Sequence, residues 1–386
     1  MNKIKIVKGV IAANSHAAGC KEMVRQQILD IKNSTPIHNA PKNVLILGGS
    51  SGLGLASRIS LAFGGQANTL NVSYERPPHN EDTGTAGYHN NMAFQEFAKD
   101  AGLIAEDFIG DAFSDEMRQK VVTYIQDNFG QIDCLVYSLA TGIRPKKNSE
   151  SKWKSSLKTI GEPFQGNFIS FEPEMMMSTT LESATEDEIE GTVKVMGGED
   201  WHEWVDVLRD ANVLAPEFKT IAYSYIGSEV TYPVYFGGTL GKAKEHLHMT
   251  ADELDLKLSD INGHAYVAVC KALVSKASVF IPGLSTYVLA LMKEMKERGE
   301  NETTAQHMHR IMNDFLYNPE GTPTDENRLI RADNLELNPD VQIKIKEMIK
   351  NITPSNYKDP SVGDYESYRK EFYQINGFEV DGVDYS

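Results

Sequence analysis

The sequence predicts an α/β protein built on a doubly wound parallel sheet, enlarged by an insertion and by N- and C-terminal extensions. Short apolar runs, typical of strands buried on both faces, alternate with helical patterns through residues 42–140. A glycine-rich turn follows the first of these runs. The chain has 386 residues, more than one ordinary domain usually holds, so we expect further segments around the sheet.

The composition excludes several classes of protein. The net charge of −16 argues against nucleic acid as the main partner. The longest apolar stretch, 278–292, is too short and too interrupted to span a bilayer, so we expect no membrane insertion. The three cysteines fit neither a disulfide framework nor a zinc motif, and we expect no metal site. With no secretory signal in the first residues, these features predict a cytoplasmic globular protein.

The first strand and the turn after it predict a dinucleotide site. Residues 44–47 are all apolar, and glycines follow at 48, 52 and 54 before a helical pattern begins. Small residues let backbone amides approach a pyrophosphate at the helix N-terminus. The G-x-x-x-G-x-G spacing is the variant found in short-chain dehydrogenases/reductases, which have a Rossmann-like sheet; a glycine-rich turn without ligand is the alternative. The expected cofactor contacts in this turn are Gly48, Gly49, Ser50, Ser51, Gly52, Leu53 and Gly54.

The second strand predicts which dinucleotide is bound. It ends at Tyr74 and Glu75, and Glu75 lies 21 residues after Gly54. A carboxylate there can accept hydrogen bonds from the adenosine ribose and would repel a 2′-phosphate, so NADH is favoured over NADPH. Arg76 weakens this inference, because an arginine is what an NADP site uses. We expect Tyr74 and Glu75 to contact NADH.

Two further strands end at the same edge of the predicted sheet. One ends at Asp111-Ala112, where the carboxylate would contact the adenine amino group. The other ends near Leu139-Ala140, where the backbone would pass beneath the nicotinamide ribose. Ligands of such sheets bind at the carboxyl ends of the strands. The helical patterns between these strands cover 91–101 and 114–128.

Residues 141–218 interrupt the alternation of strands and helices. The segment 144–158 carries six basic residues against one acidic residue. It could attract coenzyme A phosphates or an acidic carrier protein, and a solvated loop is an equally good interpretation. A capping box at Thr185 predicts a helix, and a second amphipathic helix carries Trp201 and Trp204, which we expect in the core.

The segment YFGGTLGKAK raises the question of which lysine works with Tyr235. The preceding strand is predicted to end near Tyr225. On a continuous helix of about 100° per residue, Lys242 would lie about 20° from Tyr235 and Lys244 about 180° away. The two glycines after Tyr235 instead favour a loop, with Thr239 as the N-cap of the next helix. The local pattern then permits either lysine.

Several motifs together resemble one family over nearly the whole chain. They are GGSSGLG, YERP, GDAF, VYSLA, TVKVMGGEDW, AYSYIGSEVTYPVYFGGTLGKAK and ALVSKASVFIP, and they are similar to the trans-2-enoyl-CoA reductases, also called FabV-type enoyl-ACP reductases. The resemblance implies a monomeric enzyme that uses NADH to reduce the C2=C3 double bond of trans-2-enoyl-CoA, with enoyl-ACP as the alternative substrate. A carbonyl reductase and a dinucleotide sensor without turnover are the remaining alternatives.

The resemblance also implies roles for individual residues. The family signature of a tyrosine, eight residues and a lysine falls on Tyr235 and Lys244, with Lys242 as the runner-up. Tyr235 would be the proton donor, Lys244 would hold the nicotinamide ribose and lower the pKa of Tyr235, and Tyr225 would contact the substrate carbonyl. The segment expected to contact the nicotinamide carboxamide is Leu273, Val274 and Ser275.

We expect one elaborated domain, 1–386. Residues 279–282 are expected to form a strand, followed by a helix. The predicted regions are the dinucleotide-binding half 42–140, the insertion 141–218, the catalytic Tyr/Lys half 219–300 and a mainly helical C-terminal extension 301–386.

Overall fold

The computed structural model describes residues 3–139, 141–276 and 278–386. The strands are β1 (Ile6–Val7), β2 (Ile11–Ala12), β3 (Asn43–Leu47), β4 (Asn68–Ser73), β5 (Ala105–Ile109), β6 (Ile132–Tyr137), β7 (Ile143–Pro145), β8 (Lys152–Lys154), β9 (Phe164–Phe171), β10 (Glu174–Leu181), β11 (Leu214–Ser224), β12 (His264–Val269) and β13 (Leu329–Arg331). The α-helices are α1 (Ala17–Lys32), α2 (Gly52–Ile59), α3 (Ala86–Asp100), α4 (Asp115–Tyr124), α5 (Glu186–Met196), α6 (Glu199–Asp210), α7 (Thr239–Leu258), α8 (Leu284–Glu297), α9 (Thr304–Arg310), α10 (Pro339–Asn351) and α11 (Tyr365–Gln374).

A seven-stranded sheet forms the centre of the molecule. Its order is β5-β4-β3-β6-β11-β12-β13, and the pairings between the described residues of this sheet are all parallel. The chain winds outward from β3 to β5, then returns to β6 and winds to the other edge. This order confirms the predicted doubly wound, Rossmann-like sheet. The order in which successive strands are added to the sheet reverses between β3 and β6, and such sheets bind ligands at this point.

The local sequence explains most of these elements. β3 is buried along its whole length, as its five-residue run NVLIL requires. α3 begins five residues before the predicted start at residue 91, because Thr85 caps it by accepting a hydrogen bond from the Tyr88 amide. The pattern missed this first turn because its residues, AGYHN, are small or polar.

The insertion packs on the sheet through α6, while α5 lies against α7. The predicted capping box is confirmed, since Thr185 and Glu188 bond each other's backbone amides at the start of α5. Trp201 and Trp204 on α6 are fully buried, which confirms their predicted place in the core. Their indole N–H groups donate to the Thr220 hydroxyl (2.8 Å) and to the Ala112 carbonyl (3.1 Å). Each tryptophan therefore joins the insertion to the sheet or to a loop at its edge.

The two strands that complete the sheet differ from the prediction. Residues 279–282 do not form a strand; Ser278–Phe280 is a 3₁₀ turn that leads into α8. Pro282 lacks the N–H that a sheet ladder needs, and Gly283 has a φ of +81°, so this segment turns instead of pairing. The sheet is extended by β12 and by β13, and β13 comes from the mainly helical C-terminal region. β11 likewise begins at Leu214, inside the range assigned to the insertion.

Apolar clusters lie on both faces of the sheet and beside it. One face packs against α4, α6 and α7 through side chains such as Val121, Trp204 and Leu254. The opposite face packs against α2 and α9 through Ala56 and Met308. A separate cluster joins β9 and β10 to α8, α10 and α11. No helix of the described residues is long and apolar enough to cross a membrane.

The helix α7 offers a matched test of this core. Leu254 is fully buried, whereas Leu256 on the same helix is 77% exposed. We expect Leu254→Ala to lower the free energy of unfolding by about 2–5 kcal/mol, because it leaves a cavity in the core. Leu256→Ala should change it by less than about 0.5 kcal/mol. Urea unfolding followed by tryptophan fluorescence measures both, and equal losses would contradict the packing described.

Candidate active site

The glycine turn lies against the neighbouring strand so closely that no side chain fits. A Cβ on Gly48 would lie 2.3 Å from the Ser138 carbonyl oxygen, and Gly48 has a φ of +89°. A Cβ on Gly54 would lie 2.1 Å from the Gly48 carbonyl oxygen. Gly52, in contrast, faces open space, with no non-adjacent described residue within 4 Å of its Cβ position. Space thus remains in front of the first turn of α2, where a pyrophosphate would meet backbone amides.

Ser51 of the turn and the buried Asn71 on β4 shape this space further. Ser51 is the N-cap of α2 but makes no side-chain cap bond among the described residues. The Gly49 amide donates to the Asn71 side-chain oxygen (2.8 Å). Asn71 is fully buried on β4, and the sequence analysis missed it. The signal was a polar residue in the middle of an otherwise buried strand, where an unpaired amide is costly.

Glu75 is held in one orientation by three neighbours. The Ser50 hydroxyl donates to one carboxylate oxygen (2.6 Å), and the Thr85 hydroxyl donates to the other. A Cβ on Gly87 would lie 2.0 Å from the carboxylate, so the carboxylate could not keep this orientation beside a larger residue. Asn90 donates to the Ser50 carbonyl (2.9 Å) and holds the turn against α3. Thr85, Gly87 and Asn90 were also not predicted from the sequence, because only the folded structure brings them into contact with Glu75 or Ser50.

Arg76 and Tyr74 lie beside this carboxylate. Arg76 forms an exposed ion pair with Asp82 (2.7 Å). Its guanidinium is therefore already engaged, which weakens the interpretation of Arg76 as a 2′-phosphate ligand. Tyr74 is 79% exposed and leaves the adenosine side of Glu75 open. The residues present fit NADH, because a fixed carboxylate suits two ribose hydroxyls and repels a phosphate.

The remaining cofactor residues predicted at the sheet edge lie in loops after β5 and β6. β5 ends at Ile109, two residues before Asp111, so Asp111 does not end the strand as predicted. Its carboxylate accepts a hydrogen bond from the Phe113 amide (2.9 Å), and this turn explains the early end of the strand. The Leu139 side chain lies next to Gly48, with 3.3 Å between its Cδ2 and a Cβ built there. Ala140 lies outside the described residues.

Tyr235 lies in the turn before α7, as predicted. α7 begins at Thr239, and its N-cap is Gly238, one residue before the predicted cap. The Thr239 hydroxyl bonds backbone carbonyls of the insertion instead of capping the helix. The rings of Tyr235 and Tyr225 lie 4.5 Å apart at an angle of 68°. The Tyr235 hydroxyl has no hydrogen-bond partner among the described residues, so it is available to a ligand.

The two lysines point in different directions. The Lys242 side chain is 47% exposed and pairs with Glu245 (2.8 Å). The Lys244 ammonium is half-buried and donates to the Tyr223 carbonyl (2.8 Å), at the carboxyl end of β11. Burial lowers the pKa of Lys244 to about 8. The geometry thus brings Lys244, and not Lys242, to the edge of the sheet where the other predicted residues lie.

The pKa of Tyr235 differs from the expectation. A neighbouring ammonium was expected to lower it, but burial raises the pKa of Tyr235 above its ordinary value. Lys244 does not lower the pKa of Tyr235, because its ammonium bonds the β11 backbone and makes no hydrogen bond to Tyr235 in the described structure. Tyr235 remains protonated at neutral pH, which suits a proton donor.

Tyr225 contacts a carboxylate that the sequence analysis did not identify. Its hydroxyl lies 3.0 Å from Oε1 of Glu336, and the Tyr287 hydroxyl lies 2.7 Å from the same atom. Glu336 is fully buried. The other oxygen, Oε2, accepts a hydrogen bond from the Ala272 amide (2.5 Å). No motif marks Glu336, which lies 111 residues from Tyr225 in the sequence.

The segment after β12 is fixed by a serine. The Ser278 hydroxyl donates to the Leu273 carbonyl (2.8 Å), and the Ser275 amide donates to the Ser278 hydroxyl (2.9 Å). Val274 between them is buried. This segment leaves the carboxyl end of β12, and Ala272 at its start is bonded to Glu336. The predicted nicotinamide segment and the substrate tyrosine therefore share one carboxylate.

Three of the six cations of the basic segment in the insertion are engaged in ion pairs. Arg144 is buried and pairs with Glu199 (2.6 Å), and Lys158 pairs with Glu188 (2.8 Å). Lys147 pairs with Glu203 (2.9 Å). The paired cations thus have a structural role. The cations without an ion pair among the described residues are Lys152 and Lys154 of β8, which are exposed, and the half-buried Lys146, whose ammonium lies 3.7 Å from the centre of the Trp153 ring.

The sheet, the glycine turn and the fixed Glu75 fit an oxidoreductase that binds a nicotinamide dinucleotide. Residues 82–317 match the family model described as the trans-2-enoyl-CoA reductase catalytic region. Residues 3–80 match the NAD(P)H binding domain of trans-2-enoyl-CoA reductase. The chain belongs to the trans-2-enoyl-CoA reductase family, whose members are NADH-dependent enoyl-ACP and enoyl-CoA reductases.

Individual relatives cover almost the whole chain. It is 51% identical over 383 residues to an enoyl-[acyl-carrier-protein] reductase [NADH] 2 of Photobacterium profundum, with 98% of this chain and 95% of that protein covered. It is 47% identical over 386 residues to a trans-2-enoyl-CoA reductase [NADH] of Clostridium beijerinckii, with 100% and 96% covered. The crystal structure of Clostridium acetobutulicum trans-2-enoyl-CoA reductase in complex with NADH superposes with a TM-score of 0.96 at 45% identity, covering 99% and 96%.

Residues 324–386 match a model described as an enoyl reductase FAD binding domain. In this chain they form β13, α10 and α11, and their apolar side chains pack on α8. They contain no strand–glycine–helix turn of the kind that holds a dinucleotide pyrophosphate, and Asn338 already caps α10. These residues do not fit a flavin, and we derive no step through one.

The position of Glu75 predicts cofactor preference. Glu75→Ala removes a charged acceptor and should raise the Kd for NADH by about tenfold or more, because hydrogen bonds to charged groups contribute about 1.5–3 kcal/mol. The substitution should also lower the ratio of the Kd for NADPH to the Kd for NADH, because it removes the charge that repels a 2′-phosphate. Fluorescence titration with both nucleotides measures this. Glu81→Ala, an exposed carboxylate in the same loop, is the control, and an equal effect of both substitutions would contradict the assignment.

The pKa of Lys244 predicts a pH dependence. Below a pH of about 8 the side chain is an ammonium, the form that the predicted contact with the nicotinamide ribose needs, and above it the charge is lost. We expect kcat/KM for NADH to fall as the pH rises through about 8. The decline should be absent from Lys244→Ala, whose activity is low throughout, and present in Lys242→Ala. A decline that persists in Lys244→Ala would assign it to another group.

Proposed function

We propose that this protein uses NADH to reduce the C2=C3 double bond of trans-2-enoyl-CoA, of the crotonyl-CoA type, to saturated acyl-CoA. One observation carries the proposal: the free hydroxyl of Tyr235 lies beside Tyr225, in the turn that leads to Lys244 at the carboxyl end of the sheet. A phenol there can meet a thioester oxygen while the nicotinamide lies at the strand ends. Family membership supports the same reaction.

The chain's own residues would divide the chemistry between them. NADH held there would supply a hydride to the β-carbon, and negative charge would build on the thioester oxygen. Tyr235 would donate a hydrogen bond to that oxygen and supply the proton that the enolate takes up, which ends on the α-carbon of the saturated product, so it acts both as electrostatic stabiliser and as general acid. Lys244 holds the nicotinamide ribose, and Tyr225 contacts the substrate carbonyl. The raised pKa of Tyr235 keeps its proton available until the charge develops.

The residues expected to bind the cofactor cover its whole length. The glycine turn would hold the pyrophosphate, with Tyr74, Glu75, Asp111 and Ala112 on the adenosine side. Leu139, Ala140, Lys244 and the Leu273–Ser275 segment would surround the nicotinamide riboside. The support is their position, since the described members of this set lie at the carboxyl ends of β3, β4, β5, β6, β11 and β12.

The second candidate substrate is enoyl-ACP. The relative at 51% identity carries the name of an acyl-carrier-protein reductase, whereas the one at 47% carries that of a CoA reductase. The enoyl-ACP and enoyl-CoA substrates share the reacting thioester, so they differ only in the carrier that the protein surface must accept. We infer a cytoplasmic location, supported by three cysteines that are buried and unpaired in the described chain. We also infer a monomer, as the family resemblance implies.

A direct assay tests the reaction. NADH oxidation with crotonyl-CoA should fall by about 10²-fold or more in Tyr235→Phe, because general acid catalysis contributes about 10²–10⁴-fold. Lys244→Ala should lose activity to a similar extent. Lys242→Ala, which removes an exposed cation two residues away, is the matched control and should stay within about twofold of the native protein.

The opposite results separate the alternatives. Loss in Lys242→Ala with activity retained in Lys244→Ala would reverse the assignment of the lysines. Turnover of crotonyl-ACP alone would identify the carrier. Turnover of acetoacetyl-CoA alone would indicate a carbonyl reductase, which the buried Ala222 in place of that class's serine argues against. Bound NADH with no turnover of any of them would indicate a dinucleotide sensor.

A further inference from the structure

A chain of hydrogen bonds runs through the core and ends at Tyr225. The Gln342 side-chain nitrogen lies 2.9 Å from the Tyr287 hydroxyl, which lies 2.7 Å from Oε1 of Glu336. That oxygen lies 3.0 Å from the Tyr225 hydroxyl. The Tyr225 ring in turn packs on Tyr235. The hydrogen-bonded groups come from the turn after β11, from α8, from the loop after β13 and from α10. The hydrogen bonds therefore link four distant parts of the sequence.

The direction of this chain can be deduced from its first members. The Gln342 nitrogen also lies 2.6 Å from the Glu336 backbone carbonyl, which can only accept. The amide orientation is therefore fixed, and the same –NH₂ group donates to the Tyr287 oxygen. Tyr287 has one proton, and with its oxygen accepting from Gln342 that proton goes to Glu336.

The Tyr225 hydroxyl also has only one proton. If Glu336 were an ionised carboxylate, it could only accept, and Tyr225 would have to spend its proton on Glu336. Tyr225 could then offer only lone pairs to a substrate carbonyl, and two acceptors do not bond. If Glu336 carries a proton, it donates to Tyr225, and the Tyr225 proton is left for the substrate.

We propose that Glu336 is a positioning residue that works in its protonated form, donating to Tyr225 so that the Tyr225 hydroxyl donates to the substrate carbonyl. The hydrogen bonds then run in one direction, from Gln342 through Tyr287, Glu336 and Tyr225 to the substrate, and each bond polarises the next. The inference rests on the proposed function, because it needs a carbonyl oxygen beside Tyr225.

The surroundings of Glu336 favour the protonated form. Burial is the largest influence and raises the pKa of Glu336, and the charge of Asp333 raises it further. The hydrogen bonds donated by Tyr287 and the Ala272 amide oppose this but do not reverse it. The titratable groups that face it from the surrounding elements are Tyr225, Tyr235, Cys270, Lys271, Tyr287 and Asp333. Among them only Lys271 is a cation, and its ammonium is directed to the Glu302 carbonyl (2.9 Å).

The first test is spectroscopic and needs no substrate. The infrared difference spectrum between the native protein and Glu336→Gln should contain the C=O stretching band of a protonated carboxyl at neutral pH. Only carboxylate bands in that difference would overturn the proposal. If the band disappears at higher pH, kcat/KM for crotonyl-CoA should fall with it, because ionised Glu336 withdraws the Tyr225 proton. Loss of the band without a change in kcat/KM would also overturn it.

The second test compares two variants that both remove the charge. Glu336→Gln can turn an N–H donor toward Tyr225, with the loss of the acceptor for Tyr287, whereas Glu336→Leu loses both the donor and the acceptor. We expect kcat/KM for crotonyl-CoA to be at least about tenfold higher in the glutamine variant, with NADH binding alike in both by fluorescence. Equal impairment would mean that the carboxylate itself is needed, and native activity in both would mean that Glu336 has no role.

A Tyr225→Phe background separates positioning from a general structural effect. In that background the difference in kcat/KM between the glutamine and leucine variants at position 336 should vanish, since the Tyr225 hydroxyl on which residue 336 acts is gone. A persisting difference would indicate that Glu336 acts by another route. Absence of turnover in the native protein would refute the proposed function alone, because the infrared band still reports the proton on Glu336. If Glu336→Leu does not fold, the infrared result and the pH profile decide.

Discussion

The crowding of backbone at the carboxyl end of β3 is the constraint on which the other features depend. Gly48 and Gly54 bring the turn into contact with itself and with the Ser138 carbonyl, leaving no room for a Cβ at either position. This contact sets the start of α2 beside the end of β6 and leaves an open space at Gly52. The residues that follow β4, β5, β6, β11 and β12 are then brought to the same edge of the sheet, so the site is a product of the strand order.

The insertion depends on a second constraint, the pairing of buried charges. Arg118 on α4 bonds Asp200 (2.6 Å) and Glu203 (2.8 Å) of α6, and Tyr137 at the end of β6 also donates to Asp200 (3.1 Å). An unpaired charge in this position would be strongly destabilising, so α6 has one orientation in which all three partners are satisfied. The insertion and the sheet therefore form one packed body, with Trp201 and Trp204 between them.

The sequence predicted those features that depend on neighbours along the chain. The buried strand at 44–47, the turn glycines, the capping box at Thr185 and the turn placement of Tyr235 all follow from local pattern. The choice between Lys242 and Lys244 needed either the resemblance or the structure, because both lysines lie on the same helix. Thr85, Asn71, Glu336 and β13 were missed, because each matters only through contacts with residues remote in sequence. The strand expected at 279–282 failed where Pro282 lacks a donor.

The edge position of β13 has a consequence for how the protein is made. β13 and Glu336 are synthesised after β12 and Tyr225, yet β13 covers the edge of β12, and Glu336 bonds Tyr225 and the backbone before Leu273. A nascent chain can complete the glycine turn long before it can complete the substrate side. Until β13 pairs, β12 presents an open strand edge of the kind that recruits other chains. Interrupted synthesis therefore leaves an incomplete chain exposed to aggregation and to degradation, and unable to turn over the cofactor that its finished half can hold.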